Sequence, residues 1–144
     1  MSTFQIKTHQ CGKTYSNPHF FILNKGLNSG KSLINPCPNC FVIIASTEEA
    51  KNTLFHLSMM LQIGGFYGYY LKGSVIPFIS IKDCKKVLLK ASEATKKLEF
   101  NKHIHAVSVF SKKENELQKL LEKMTVLKMA YIQNCFKLMQ RKVI

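Results

Sequence analysis

The apolar positions of this chain change period along its length, and each change marks a new kind of element. Near the start, Phe4 and Ile6 alternate with polar neighbours, the pattern of a half-buried strand. After Pro18 comes a short apolar run, His19-Phe-Phe-Ile-Leu23, and further on the β-branched run Phe41-Val-Ile-Ile44; both predict strands, the second a buried one. Between them, Asn24 to Pro38 is rich in Gly, Asn, Ser and Pro and predicts a loop.

A helical period takes over at Ser46. Ser46 stands three residues before Glu49, the spacing of a capping box in which each side chain satisfies an amide at the helix start. Leu54, Leu57, Met60 or Leu61, and Ala50 share one face, and Gly64-Gly65 supplies the stop. The next segment, Phe66-Tyr-Gly-Tyr-Tyr-Leu71, then Lys72-Gly-Ser74, then Val75-Ile-Pro-Phe-Ile79, predicts two strands joined by a glycine turn, with Pro77 pushing the second toward an edge or a bulge.

From Ser80 the period is helical again. Cys84, Val87, Leu88, Ala91, Thr95 and Leu98 form a stripe, with Ser80 and Asp83 placed to cap its start. Lys82, Lys85, Lys86, Lys90, Lys96 and Lys97 fall mostly off that stripe. His103 to Phe110 alternates as a strand does. Ser111 before Glu114 makes a second capping-box spacing and predicts a helix of about 30 residues beyond it. In that helix Leu117, Leu120, Met124, Leu127, Tyr131, Asn134 and Leu138 recur at alternating steps of three and four, the seam of a coiled coil or helix pair. Val126, Met129, Ile132, Cys135, Phe136 and Met139 widen the apolar arc beside it.

These elements imply an α+β domain: a small, mostly antiparallel sheet flanked by helices, with a long C-terminal helix. At 144 residues the chain fits one domain, with a body over residues 1–110 and the helix over 111–142, long enough to bury a core without staples. No apolar run reaches the roughly 18 residues of a membrane span, and the first residues carry no apolar leader segment. Five cysteines, of which only Cys37 and Cys40 are close neighbours, do not make a disulfide framework; the expected setting is a reducing cytoplasm.

Charge changes the picture most. The chain carries a formal net charge of +13, and 20 of its 21 basic residues are lysine. Residues 1–71 contribute +3, residues 72–110 contribute +5 and residues 111–144 another +5. A field of this sign attracts phosphate backbones, anionic lipid surfaces or acidic proteins, although lysines also serve to keep a surface solvated. With one arginine in the chain, bidentate reading of guanine is not the main device, so binding would lean on phosphates and shape.

Three groups of residues invite a chemical reading. Gly26-Leu-Asn-Ser-Gly30-Lys31-Ser32 approaches a Walker A loop, but three residues separate its glycines where four are needed, and Lys25 stands where the first glycine belongs. Pro36 and Pro38 also forbid the phosphate-holding helix that should follow. The loop's amides remain candidates for a non-catalytic phosphate contact. Cys37-Pro-Asn-Cys40 supplies two thiols, and a structural zinc needs four ligands; His9 and Cys11 are the residues that would complete the set. No metal and no cofactor are expected. His103 and His105 would face one side of a strand, as an acid–base pair requires, but no carboxylate is near them in sequence.

The stretch from Leu54 onward resembles half of a type I restriction specificity subunit, a target-recognition domain plus a long helix. The matching pieces are Leu54 to Leu61, Phe66 to Leu71, Gly73 to Ile79, and residues 111–142. The resemblance implies a DNA partner and a second strand after the edge strand, whereas residues 81–99 scan as a helix, and one unit stands where that family has two. The loops GLNSGK, NPCPNCF and GSVIPFI are also similar to a family of small bacterial proteins associated with mobile elements.

The reading carried forward is a non-catalytic nucleic-acid-binding accessory protein, with DNA ahead of RNA as partner. Lys72, Lys82, Lys85, Lys86 and Lys90 would contact phosphates, the Gly73-Ser74 turn would approach the backbone, and Lys31 in the glycine-rich loop is a further contact. The alternative is a protein-interaction module built on the long helix, whose nearest partner is a second copy through residues 111–142. A third reading, a small metal-independent ribonuclease, would use His103 and His105.

Overall fold

Alternation and β-branching place four strands where side chains need two faces. In the computed structural model, which describes residues 4–96 and 99–143, these are β1 (Phe4–Thr8), β2 (His19–Leu23), β3 (Ser32–Leu33) and β4 (Cys40–Ala45). They form one antiparallel sheet in the order β1-β4-β2-β3. Pairing of Ile6 with Ile43 and of Phe20 with Ile43 sets the register, so Phe4, Phe20, Ile22, Phe41, Ile43 and Ala45 point to one face. Phe21, Cys40 and Val42 point to the other, where Tyr15, Leu33 and Cys37 lie against them. The central strands β2 and β4 are therefore covered on both sides, which is why they read as continuous apolar runs. The two-residue strand β3 lies inside the segment expected to be pure loop.

Two helices cover the first face. Helix α1 (Glu48–Ile63) buries Leu54, Leu57 and Ser58, with Ala50 and Leu61 packed at the margin of the core. Its cap is Thr47, whose hydroxyl accepts from the Ala50 amide at 3.1 Å, and not Ser46: the start falls one residue later than the capping-box spacing predicts. Gly64 closes it, its amide bonded to the Met60 carbonyl at 2.9 Å. Helix α2 (Ile81–Thr95) buries Cys84, Val87 and Leu88, the predicted stripe; Leu98 and Lys97 lie outside the described residues. Ser80 caps α2 as expected, accepting from the Asp83 amide at 3.2 Å and donating its hydroxyl proton to the Asp83 carboxylate at 2.8 Å.

The segment between the helices is not a hairpin. Phe66–Leu71 forms a turn and one 3-10 turn over Gly68–Tyr70, and only isolated bridges tie Phe78 to Lys72 and to Lys25. Glycines at 64, 65 and 68 give this stretch little strand preference. Burial of Tyr67 (1% exposed) then holds it in a compact turn, because the ring points inward while its neighbours Phe66 and Tyr69 stay on the surface.

The second correction concerns residues 100–110. Helix α3 runs unbroken from Phe100 to Val143, so His103–Phe110 is helix and Ser111 is interior. No glycine or proline lies between Phe100 and Val143, so nothing interrupts helix propagation, and a lone alternating segment gains no strand partner. The chain divides into two units, residues 1–100 and 101–144; the boundary falls ten residues before the predicted one. No described helix is long and apolar enough to cross a membrane.

Candidate functional site

The glycine-rich loop is built around Tyr67. Gly30 has φ +101°, and a Cβ there would strike the Tyr67 ring. Its carbonyl accepts the Ser58 hydroxyl at 3.0 Å, and Ser58 Oγ lies 2.8 Å from the Tyr67 hydroxyl. Since Ser58 spends its one proton on Gly30, Tyr67 is the donor of the second bond. Burial pushes the Tyr67 phenol well above its ordinary range, so it is a neutral structural donor. Gly30 is thus held by packing, whereas a Walker glycine serves an approaching phosphate. Lys31 stands exposed beside it, in a loop closed by its own amide bond to the Asn28 carbonyl at 3.0 Å.

The two glycine loops lie side by side. The backbone of Pro77–Ile79 runs between them: Gly26 N–H donates to the Pro77 carbonyl at 2.7 Å and Ile79 N–H to Asn24 at 3.0 Å on one side. On the other, Lys72 and Phe78 exchange bonds of 2.9 and 2.8 Å. Gly73 (φ +100°) leaves no room for a Cβ, which would sit 2.7 Å from the Ile76 carbonyl, so the Gly73–Ser74 turn is fixed by its own backbone. Its neighbours Val75 and Ile76, and Leu27 on the other loop, are exposed, as are Lys25 and Lys72 on either side of Phe78.

Lys72 connects this loop pair to α2. Its Nζ lies 3.4 Å from the Asp83 carboxylate, beyond which Lys82, Lys85, Lys86 and Lys90 are all exposed. The Ser80 hydroxyl, with Lys72 and Lys86 nearby, holds the Asp83 carboxyl below its usual range, so Asp83 is an anion that gathers both lysines. The Lys86 ammonium sits 5.7 Å over the Tyr70 ring, and Tyr70 meets the exposed ring of Tyr69 edge-on at 5.1 Å. The site residues expected from sequence therefore fall in one unit: Lys72, Gly73 and Ser74 on a turn tied to α2, and Lys31 on the neighbouring loop. Tyr69 and Tyr70 were expected to belong to a strand. They are the residues the sequence reading missed, because their side chains gain a role only when the strand becomes a turn.

The other candidates separate. His103 and His105 are two positions apart on a helix, about 200° around its axis, so the shared face a strand would have given them is absent. A different pair assembles on the second face of the sheet. His9 Nδ1 lies 3.1 Å from the Tyr15 hydroxyl, and the Tyr15 ring is 5.8 Å from His9 and 5.2 Å from His19. His19 is in turn bonded to the Asn17 carbonyl at 2.8 Å. All three rings pack against Phe21, an aromatic cover for that face, and nothing in their sequence spacing signals it. Cys40 is buried, donating to the Cys37 carbonyl at 3.1 Å, and burial raises its thiol pKa. Among the described residues no group of three or more His, Cys, Asp or Glu gathers as a metal set.

Within the second unit, α3 is the one element. The side chains of its seam, Leu117, Leu120, Met124, Leu127, Tyr131 and Leu138, are all exposed, as are Leu121, Val126, Met129, Ile132, Phe136 and Met139.

Residues 6–134 match the model of a family described as "Family of unknown function (DUF6943)", and the chain belongs to it. That description names neither mobile elements nor restriction specificity subunits. No curated protein and no solved structure matches the chain significantly.

Proposed function

For this member of a family of unknown function, we propose a non-catalytic nucleic-acid-binding protein whose interface is the lysine face of α2 together with the Gly73–Ser74 turn. The observation that carries the reading is the Lys72–Asp83 contact, which joins a glycine turn to a helix face bearing Lys82, Lys85, Lys86 and Lys90. Phosphates supply most of the attraction in such interfaces, and each neutralised phosphate releases counterions, which makes the binding salt-dependent. Lys31 and Lys25 extend the basic surface onto the neighbouring loop. Tyr69, exposed beside Tyr70 and Lys86, adds a π face on which an unpaired base can stack. DNA stands ahead of RNA as the partner on the resemblance to a target-recognition domain; a face of lysines and one open ring, with no guanidinium fork for base edges, reads backbone and shape in either nucleic acid.

Fluorescence titration with labelled single- and double-stranded DNA and RNA tests this. At about 50 mM salt, a permissive condition for phosphate-led binding, the wild type should bind and should weaken steeply as salt rises. Lys82→Glu, Lys85→Glu, Lys86→Glu and Lys90→Glu combined should abolish binding while circular dichroism stays unchanged. A wild type that ignores every probe at that salt concentration sinks the reading.

A second reading has its own observation, the exposed apolar arc of α3: the helix serves protein association, with a second copy of the chain as the partner.

A further inference from the structure

We propose that α3 pairs with α3 of a second copy in antiparallel orientation, with the pairing centred between Thr125 and Val126. This rests on the association reading above and adds the orientation, the register and the residues that choose them.

The seam fixes the heptad positions. With Leu117, Met124, Tyr131 and Leu138 at a, and Leu120, Leu127 and Asn134 at d, the flanking g positions are Glu116, Lys123, Ala130 and Lys137. The e positions are Leu121, Lys128, Cys135 and Lys142. These flanking residues decide which helix can lie alongside, because like charges across a seam repel and unlike charges attract. In a parallel pair each g residue meets the e residue five places on in its partner. That sets Lys123 against Lys128 and Lys137 against Lys142, each twice by symmetry, with no opposite pair to compensate.

Antiparallel pairing sets g against g and e against e. When Leu117 faces Asn134, Leu120 faces Tyr131 and Met124 faces Leu127, the g positions give Glu116 against Lys137 twice and Lys123 against Ala130. The e positions give Leu121 against Lys128 and no like pair. Sliding one heptad toward the C-terminus brings Lys123 against Lys137 and Lys128 against itself. Sliding the other way puts Lys123 against itself and shortens the seam to four positions per helix. Of these registers, this one alone has only attractive or neutral pairs at its g and e positions. It also sets Asn134 against Leu117 near the end of the seam, with Leu138 opposite Lys113 in the next layer and Arg141 opposite the exposed ring of Phe110 beyond it, a favourable cation–π pairing.

A partner other than a second copy would have to carry this complementarity itself; Glu116, which Lys113 of its own helix also contacts at 3.3 Å, and Lys137 toward the other end of the seam supply it from one sequence. A symmetric pair built this way is also closed, so it forms a dimer and no filament.

Disulfide trapping in the full chain decides the matter. With Cys11 and Cys135 replaced by Ser, Leu120→Cys and Tyr131→Cys are made separately. An oxidised mixture of the two should yield a covalent dimer, and neither variant should do so alone, because residue 120 lies about 16 Å along the axis from residue 120 of the second copy at 1.5 Å per residue. Self-linking of Leu120→Cys would mean a parallel pair and would overturn the proposal. Light scattering of the wild type at about 50 µM, enough to populate a dimer of micromolar affinity, separates two kinds of failure. A dimer mass without trapping in the mixture removes the orientation alone, and a monomer mass removes the association reading as well. Glu116→Lys should raise the dimer Kd roughly tenfold, and adding Lys137→Glu to the same chain should restore it.

Discussion

At the scale of single residues, Gly30 and Asp83 do work that their neighbours in sequence do not announce. Gly30 combines a left-handed backbone with contact against the Tyr67 ring. Gly30→Ala should therefore cost about 2–4 kcal/mol, the sum of backbone strain and overpacking, read as a lower urea midpoint at unchanged slope. Tyr67→Phe keeps the ring and loses one buried hydrogen bond, and should cost only about 1 kcal/mol. Equal losses from the two variants would show that Gly30 is not held by the ring. Asp83 predicts a pH limb. Its folded pKa lies below the ordinary carboxylate value, so its contribution is complete above the unfolded pKa and is lost as pH falls through the folded one. Thermal melts between neutral and strongly acidic pH should show a drop in this window that is reduced in Asp83→Asn; an unchanged acid limb would refute the assignment. The lowered pKa follows from Ser80 three residues away, legible in sequence, and from Lys72 eleven residues away, which becomes a neighbour only through the fold.

At the scale of elements, capping separates α2 from α3, two of the three helices whose starts were predicted from the same spacing. Ser80 caps α2 with two bonds, and Ser80→Ala should cost about 1 kcal/mol. Ser111 has the same spacing to Glu114 but lies inside α3. Ser111→Ala should thus be neutral or stabilising by a few tenths of a kcal/mol, since alanine is the better helix former. A loss near 1 kcal/mol at Ser111 would mean that a helix starts there after all. Chemical denaturation of both variants settles the comparison. The motif was right at Ser80, one residue early at Ser46 and wrong at Ser111, because a capping box describes a local bond. Whether the preceding residues leave the helix depends on having another use for their backbone groups, and residues 103–110 have no strand to pair with.

At the scale of the whole molecule, lysine-dominated charge makes ionic strength the most informative variable. If the α2 face binds phosphates, each Lys→Ala change among Lys82, Lys85, Lys86 and Lys90 should lower the slope of log K against log salt by about one, for every sequence tested. A lysine whose removal weakens binding without changing the slope does not touch a phosphate. Three of the four sheet strands and the faces of α1 and α2 were legible in the chain because they depend on local periodicity: alternation at Phe4 and Ile6, β-branching at Val42 to Ile44, and the stripe through Cys84, Val87 and Leu88. Three things were decided by tertiary structure alone. Tyr67 turns inward and converts an expected hairpin into a compact turn, since burying one aromatic ring outweighs the weak strand preference of a glycine-rich stretch. Pro77–Ile79 then brings two glycine loops together across some 50 residues of sequence, a pairing that no periodicity encodes. And α3 begins at Phe100: no glycine or proline breaks the chain there, but only the fold shows that residues 103–110 have no strand to pair with.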